Sequence, residues 1–455
     1  MKVAIIGGGI TGSSIAMYLE NLGIEVKLFE KNDLVSGPPI CHLHAGGNLY
    51  REITLKEKIA LLKESIDFIR LYPHAIDYRP TVIVVPKSDE GDPEDLIETL
   101  DILKNEYKKL ISEDPKNKVL GDPDEYYRLY YKEDILKLKN KDLIKNPKTA
   151  DEWLIPFAKY VDLESIKYPV ILVQEYGVNV FRLAAIAKLI LEKKGIVKYE
   201  EANVEKKGDK WIVNGEEFDY LINAAGYRSG EIDDALEFKR ERLTEFKAAY
   251  VVKNNDFNFA WPEIIFHGKR GTPKGMAQFT PYPNGYFQLH GMTKDITLFE
   301  DGLVSSDEKS SYPKLPKHFI EKIEKGWQKE EAGKRAKRAI EHMSQYIPEF
   351  SSSEVTYVPL YGAQQIPGCD AELRAVEISF EDNYARCEVV KASTVTSMAD
   401  SIVKDLSKKF AIPYKKQIEI DEINKLSDEL ITEKSCEIAQ KRGYPEDMGK
   451  RCFKA

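Results

Sequence analysis

Apolar positions in this chain recur in short runs whose spacing switches between that of strands and that of helices. Val3-Ala4-Ile5-Ile6 is a buried-strand run ending in Gly7-Gly8-Gly9-Ile10-Thr11-Gly12. Ile15, Ala16, Leu19 and Leu22 then recur at helical spacing until Gly23, after which Val26 to Glu30 reads as a second strand. Helical spacing returns from Leu55 to Leu71, with Leu61, Leu62, Ile66 and Ile69 on one face, and Thr81 to Val85 reads as a strand. Residues from about 87 to 150 are rich in Lys, Asp and Glu and broken by Pro93, Pro115, Pro123 and Pro147, the pattern of a surface excursion or lid-like subdomain.

A second organised region opens with a helix marked by Phe181, Leu183, Ala184, Ile186, Ala187 and Ile190 and stopped at Gly195. Strands are predicted at Ile196 to Tyr199, Trp211 to Val213 and Tyr220 to Ile222, the last running into Asn223-Ala224-Ala225-Gly226. Alternating aromatic segments at Ala248 to Val252, Glu263 to Phe266 and Tyr286 to His290 predict a largely antiparallel sheet. A strand near Cys387 to Val390 and a helix from about Thr394 to Leu406 follow. The expected architecture is α/β. A Rossmann-type domain is built from residues 1–85, 165–235 and 356–410, an α+β substrate domain from 86–164 and 236–355, and a polar helical tail from 411–455.

The first turn carries the clearest chemistry. Gly7, Gly9 and Gly12 form a G-x-G-x-x-G where a strand enters a helix, the setting in which the motif binds a dinucleotide pyrophosphate. Gly7 serves the tight turn, Gly9 the approach of the pyrophosphate, and Gly12 the close packing of helix on strand. Ile10 and Thr11 open the helix whose N-terminal N–H groups favour negative charge. Glu30, at the end of the second strand and followed by Lys31, is placed to accept from the adenosine ribose hydroxyls. The chain has no second copy of this motif, so one tightly held dinucleotide is implied, FAD or NAD.

Composition narrows the class. With 42% hydrophobic and 31% charged residues in a chain of 455, an ordinary globular protein of more than one domain is expected. A net charge of −8 argues against nucleic acid as a partner. Cys41, Cys369, Cys387, Cys436 and Cys452 show no C-x-x-C pair, which predicts free thiols and a reducing, cytoplasmic setting. No run of about 18 apolar residues predicts a transmembrane helix. Peripheral contact with the inner face of a membrane stays open.

The chain resembles the D-amino-acid-oxidase-like superfamily of FAD oxidoreductases, which includes glycine oxidase, glycerol-3-phosphate dehydrogenase, malate:quinone oxidoreductase and L-2-hydroxyglutarate dehydrogenase. Besides the N-terminal turn, Asp219 to Gly226 is similar to the strand that closes over FAD, and Ala202-Asn203-Val204 to the segment whose Val packs on adenine. His42-Leu43-His44-Ala45-Gly46-Gly47-Asn48-Leu49-Tyr50 resembles the Gly-rich stretch that passes the flavin in the glycerol-3-phosphate and L-2-hydroxyglutarate dehydrogenase branches. Lys391-Ala392-Ser393-Thr394-Val395-Thr396-Ser397 resembles the segment whose helix points its N-terminus at the flavin pyrimidine, where N–H and O–H donors stabilise negative charge. The resemblance implies FAD, with Gly7, Gly9, Ile10, Thr11, Gly12, Glu30, Lys31, His44, Ala45, Gly46, Gly47, Val204, Ala224, Ala225, Gly226, Thr394, Val395 and Thr396 as its contacts. It departs from the amino-acid oxidases at Gly362 to Gly368, where no Arg stands to clamp a carboxylate.

The implied reaction is oxidation of a small polar metabolite, a hydroxy acid, an amino acid or amine, or a polyol phosphate, by hydride transfer to the flavin. His44 and His290 are the expected proton acceptors, and Arg51 and Lys391 the expected cations for an anionic substrate or for tuning the flavin. Each has a plain alternative: a backbone-satisfied histidine, an Arg51 paired with Glu52 or Glu57, or a solvated lysine. The electron acceptor stays open among oxygen, quinone and a carrier protein. Covalent attachment of flavin through Cys41, His42 or His44 is a further option, and no metal site is expected. An NAD-dependent dehydrogenase and a flavin-holding subunit without turnover are the competing classes.

Overall fold

The computed structural model describes residues 1–37, 53–371 and 377–453. The short apolar run Lys2–Ile6 sits at the centre of a six-stranded sheet in the order Glu377–Glu381, Tyr384–Glu388, Tyr220–Asn223, Lys2–Ile6, Glu25–Phe29 and Val197–Lys198. Five of these strands run parallel, and only the edge strand Glu377–Glu381 is antiparallel. A central parallel strand buried on both faces needs apolar residues at every position, and Val3, Ala4 and Ile5 are fully buried. The helices Ile10–Asn21, Val180–Leu191 and Val395–Phe410 contribute to the apolar core of this layer.

The second sheet has nine strands. Leu303–Ser305, Arg242–Lys253, Tyr286–Gly291, Ala277–Tyr282, Glu263–Phe266, Thr81–Val84, Val170–Val173 and Tyr127–Tyr130 follow one another, and Glu354–Pro367 pairs along Arg242–Lys253. Every contact but that of Glu263–Phe266 with Thr81–Val84 is antiparallel, as the alternating aromatic segments predict. Its two faces differ. Phe287, Leu289, Phe279, Tyr250 and Val252 point into a core closed by the helices Ala150–Tyr160 and Lys329–Ser344. Ala249, Val251, Ile265, Ile83 and Val173 point the other way, into the core that continues beneath the smaller sheet. The nucleotide layer therefore rests on the second face of the large sheet.

Sheet membership departs from the sequence-based division. Thr81–Val84, Val170–Val173 and Glu354–Pro367, read as nucleotide-domain segments, form strands of the large sheet. Residues 87–150 are less of an excursion than their charge suggests. The helix Ile97–Glu113 buries Leu100, Leu103 and Tyr107, and Tyr127–Tyr130 extends the large sheet. The segment read as a polar tail buries Ile420, Ile423, Ile431, Ile438 and Met448 in the main core. Its helix Asp428–Lys441 is pinned by Asp428, which accepts from Arg182 Nη2 at 2.5 Å and from Arg451 Nη2 at 2.6 Å. In both cases charged residues on the solvent side mask a narrow apolar stripe, and only packing reveals what that stripe meets.

Candidate functional site

The carboxyl ends of Lys2–Ile6 and Tyr220–Asn223 meet at two turns. Gly7 has a φ of 99°, and a Cβ there would lie 2.3 Å from Ala224 O. A Cβ on Gly12 would lie 1.9 Å from Gly7 O, so turn, helix and the Ala224-Ala225-Gly226 segment close together only without side chains at these positions. Gly9 differs: among the described residues nothing lies within 4 Å of where its Cβ would stand. Gly9 is also the N-cap of Ile10–Asn21, with no capping side chain and no acidic residue in the first turn. The result is an open cradle above a helix N-terminus, which is what a pyrophosphate requires. The residues fit FAD.

Glu30 closes one side of the cradle. Its Oε2 accepts from Gly8 N at 2.7 Å and its Oε1 from Asn32 N at 2.7 Å, which fixes the carboxylate while leaving lone pairs for ribose hydroxyls. Ile10 and Thr11 lie in the first helical turn, Lys31 is exposed just past Glu30, and Val204 begins a three-stranded ribbon, half-buried. Ala225 N donates to Asn223 Oδ1 at 3.2 Å, and Gly226 adopts a φ of 62°.

A second helix start belongs to Val395–Phe410, which packs against Ile10–Asn21. Ala392–Thr394 forms one 3-10 turn that leads into Val395–Phe410, again with no acidic residue in the first turn. Thr394 Oγ1 donates to Lys391 O at 2.7 Å and Thr396 Oγ1 to Ser393 O at 3.4 Å, so both hydroxyls point back onto the backbone. Ser397 Oγ donates to Glu64 Oε1 at 2.5 Å. Burial pushes the Glu64 carboxyl up to about 7, against the hydrogen bond from Ser397.

The large sheet turns a polar strip toward this helix start. Strand alternation places Glu245 and Lys247 on the same face as Ala249 and Val251, and Gln288 and His290 on the same face as Tyr286. Opposite His290 stands Gln278, and opposite Gln288 stands Thr280. Lys247 Nζ pairs with Glu245 Oε2 at 2.8 Å and donates to Gln364 Oε1 at 2.9 Å, while Gln364 Nε2 donates to Val390 O at 2.8 Å. Through Gln364 the strip is tied to the segment that enters the second helix. Arg270 also pairs with Glu245. The Glu245 carboxyl is held below its usual range, because Lys247 and Arg270 outweigh the opposing effect of burial.

Further along the same face, Arg79 Nη1 pairs with Asp77 Oδ2 at 2.6 Å and Arg79 Nη2 with Glu263 Oε2 at 3.0 Å. Gln278 Nε2 donates to Glu263 Oε1 at 2.6 Å. Burial raises the Glu263 carboxyl, and Arg79 opposes it. A small recess with room for about one water lies among Asp77, Arg79, Thr280 and Gln288.

His290 lies on the strand Tyr286–Gly291, on the face it shares with Gln288, and Lys391 is the half-buried residue that opens the turn before the second helix. His44, Ala45, Gly46, Gly47 and Arg51, with Cys41 and His42, lie outside the described residues. Gln365, next to Gln364, accepts from Ser229 Oγ at 3.1 Å and donates to Cys387 O at 3.2 Å. Cys436 and Cys452 are free, as are Cys369 and Cys387. Among the described residues no cluster of His, Cys, Asp or Glu has the arrangement of a metal site, and no helix is long and apolar enough to cross a membrane. The sequence reading missed Glu245, Lys247, Arg79 and Glu263. Its available signal was a charge at an inward position of an otherwise apolar strand, as in Glu263-Ile264-Ile265-Phe266.

Residues 2–134 match the family model described as FAD dependent oxidoreductase, DAO. No curated protein matches the sequence. Several solved structures share the fold, among them the following. The glycerol-3-phosphate dehydrogenase from Bacillus halodurans complexed with FAD has a TM-score of 0.54 and 14% identity, over 98% of this chain and 73% of that one. The L-amino acid deaminase from Proteus vulgaris has a TM-score of 0.55 and 12% identity, over 94% and 96% of the two chains. The L-alpha-glycerophosphate oxidase from Mycoplasma pneumoniae with FAD bound has a TM-score of 0.54 and 15% identity, over 92% and 98%.

Proposed function

We propose that this chain, whose residues 2–134 match the FAD dependent oxidoreductase model, is an FAD-dependent oxidoreductase of that kind and oxidises a small polar metabolite in the space between the Val395 helix start and the polar strip of the large sheet. Bound FAD would supply the two-electron, hydride-accepting chemistry that such an oxidation needs. The glycine turn with Gly7, Gly9 and Gly12 would hold the pyrophosphate, and Glu30 the adenosine ribose. Ala224 to Gly226 would border the cofactor, with Val204 toward the adenine and the first turn of Val395–Phe410 toward the flavin pyrimidine. His290 is the proton acceptor reached from the sheet, since an imidazole changes charge near physiological pH. Lys247, Gln364 and Lys391 bind and orient the polar or anionic end of the substrate.

One observation carries this reading: Lys247 and Gln364 link the inward polar face of the sheet directly to Val390, five residues before the helix start. A face needed only for packing would be apolar there, as it is at Ala249 and Val251. The neighbours that act on glycerol phosphate and on amino acids support a substrate with a hydroxyl or amine beside an acidic group. The lack of an Arg in Gly362 to Gly368 favours a substrate anchored by Lys247 and Gln364 instead.

The test is anaerobic titration of the purified holoprotein with hydroxy acids, amino acids, amines and glycerol 3-phosphate, followed by loss of the flavin absorbance. Readmission of oxygen or addition of a soluble quinone then identifies the acceptor. Bleaching by one class names the substrate. A flavin that no member of the panel reduces, in a protein that dithionite does reduce, refutes the proposed turnover and leaves a flavin-holding subunit.

A further inference from the structure

The C-terminal segment reaches the cofactor cradle. Arg442 caps the helix Asp428–Lys441, and its guanidinium spans the loop that follows Glu30. Arg442 Nη2 donates to Asp33 Oδ2 at 2.8 Å and to Leu34 O at 2.7 Å, and Nη1 donates to Val35 O at 3.0 Å. Lys188 pairs with the other Asp33 oxygen. Val35 N in turn donates to Gly8 O at 2.8 Å, the carbonyl that also accepts from Ser13 Oγ at 2.9 Å. Leu34, fully buried, packs against Gly8.

Val35 holds this contact at a φ of 51°. A β-branched residue in the left-handed region is strained, and such strain persists only where surrounding contacts over-determine the backbone. Here the contacts on the Leu34 and Val35 carbonyls come from Arg442, about four hundred residues away in sequence. The guanidinium fork grips two successive carbonyls at once, which the single ammonium of lysine cannot reproduce.

We propose that Arg442 is a positioning residue for FAD: it holds Asp33-Leu34-Val35 in the strained form that braces Gly8 and Glu30, so docking of the C-terminal helix sets the affinity of the cradle. Without the fork, Val35 relaxes to negative φ, its N–H leaves Gly8 O, and the turn loses its shape. With glycine at position 35 the same conformation is unstrained, and the brace becomes dispensable.

The experiment measures the FAD dissociation constant of FAD-stripped full-length protein by quenching of flavin fluorescence, for wild type, Arg442→Gln, Val35→Gly and the double variant. Arg442→Gln is expected to weaken FAD by on the order of tenfold, the size of one relaxed strain expressed as affinity. In the Val35→Gly background the same substitution is expected to change it by less than about threefold. A purely structural role in docking the helix predicts the same loss in both backgrounds, and that result overturns the proposal. So does an Arg442→Gln protein with wild-type affinity. Should Arg442→Gln not fold, Arg442→Lys answers the question: it keeps the ion pair with Asp33 but not the fork, and wild-type affinity in that variant is equally fatal.

Discussion

Replacing Asp233 with Asn removes one negative charge from the junction of the two sheets without changing its shape. Asp233 lies on the short helix Ser229–Ala235. Its Oδ2 accepts from Arg242 Nη2 at 2.7 Å and from Arg386 Nε at 2.5 Å, and its Oδ1 accepts from Tyr384 OH at 2.7 Å and from Arg386 Nη2. Arg242 belongs to the large sheet and Arg386 to the small one, so a single carboxylate ties the layers together. Asp233 and Arg386 are fully buried and Arg242 nearly so. Water therefore cannot take over when the charge is lost.

Glu388 remains, 3.1 Å from Arg242 Nη1, but it cannot neutralise both guanidiniums, and its own burial already raises its carboxyl. In the Asp233→Asn variant the new amide N–H groups would also face guanidinium donors. Breaking a buried pair in this way costs about 3–5 kcal/mol. For a cooperative unit of about 150–250 residues each kcal/mol moves Tm by roughly 2–4 °C, so Asp233→Asn should lower Tm by roughly 6–20 °C in differential scanning calorimetry. Replacing the pair together, as Asp233→Leu with Arg386→Met, should recover more than half of the loss, because two apolar side chains leave no stranded charge. A fall of under about 2 °C in Asp233→Asn, or a double variant less stable than the single one, would refute the reasoning that stranded charge dominates.

Four further outcomes are expected. Gly9→Ala should leave the Tm of FAD-free protein unchanged but weaken FAD at least about tenfold, since its Cβ enters the cradle and touches no atom of the described residues. Gly12→Ala, whose Cβ meets Gly7 O, should by contrast destabilise the FAD-free protein itself. His290→Gln should retain FAD and slow substrate-dependent flavin reduction about 10²–10⁴-fold in anaerobic stopped flow, and a change under about threefold would remove His290 from the chemistry. For Glu64, the folded carboxyl titrates at about 7 against an ordinary value of 4.5. The folded state thus binds the proton more tightly than the unfolded state between those values. Stability contributed by protonated Glu64 is present below about 4.5 and is lost as pH rises to about 7. The Tm of wild type minus that of Glu64→Gln should decline across this window and then level off, and a rising difference would reverse the assigned sign.

What the sequence determined by itself was local. The run Val3 to Ile6, the glycine spacing, the helix through Leu19 and the acid at position 30 are consecutive, so their geometry follows from backbone rules that need no distant partner. The helix Leu55–Leu71 was legible for the same reason, its start set by Thr54 and Glu57 in a capping box. Tertiary structure decided what depends on who packs against whom. Thr81–Val84 and Val170–Val173 are apolar on both faces and would suit either sheet; pairing alone placed them in the larger one. Lys247 meets Gln364 across a separation of 117 residues, and Gln364 in turn meets Val390, so no spacing in the chain announces the three together. The C-terminal segment read as a polar tail because its buried stripe is narrow, and its role at Asp33 to Val35 appears only once the helix Asp428–Lys441 lies beside Val180–Leu191. Local order is written in neighbours along the chain, whereas a site assembled across two sheets exists only after the chain has closed on itself.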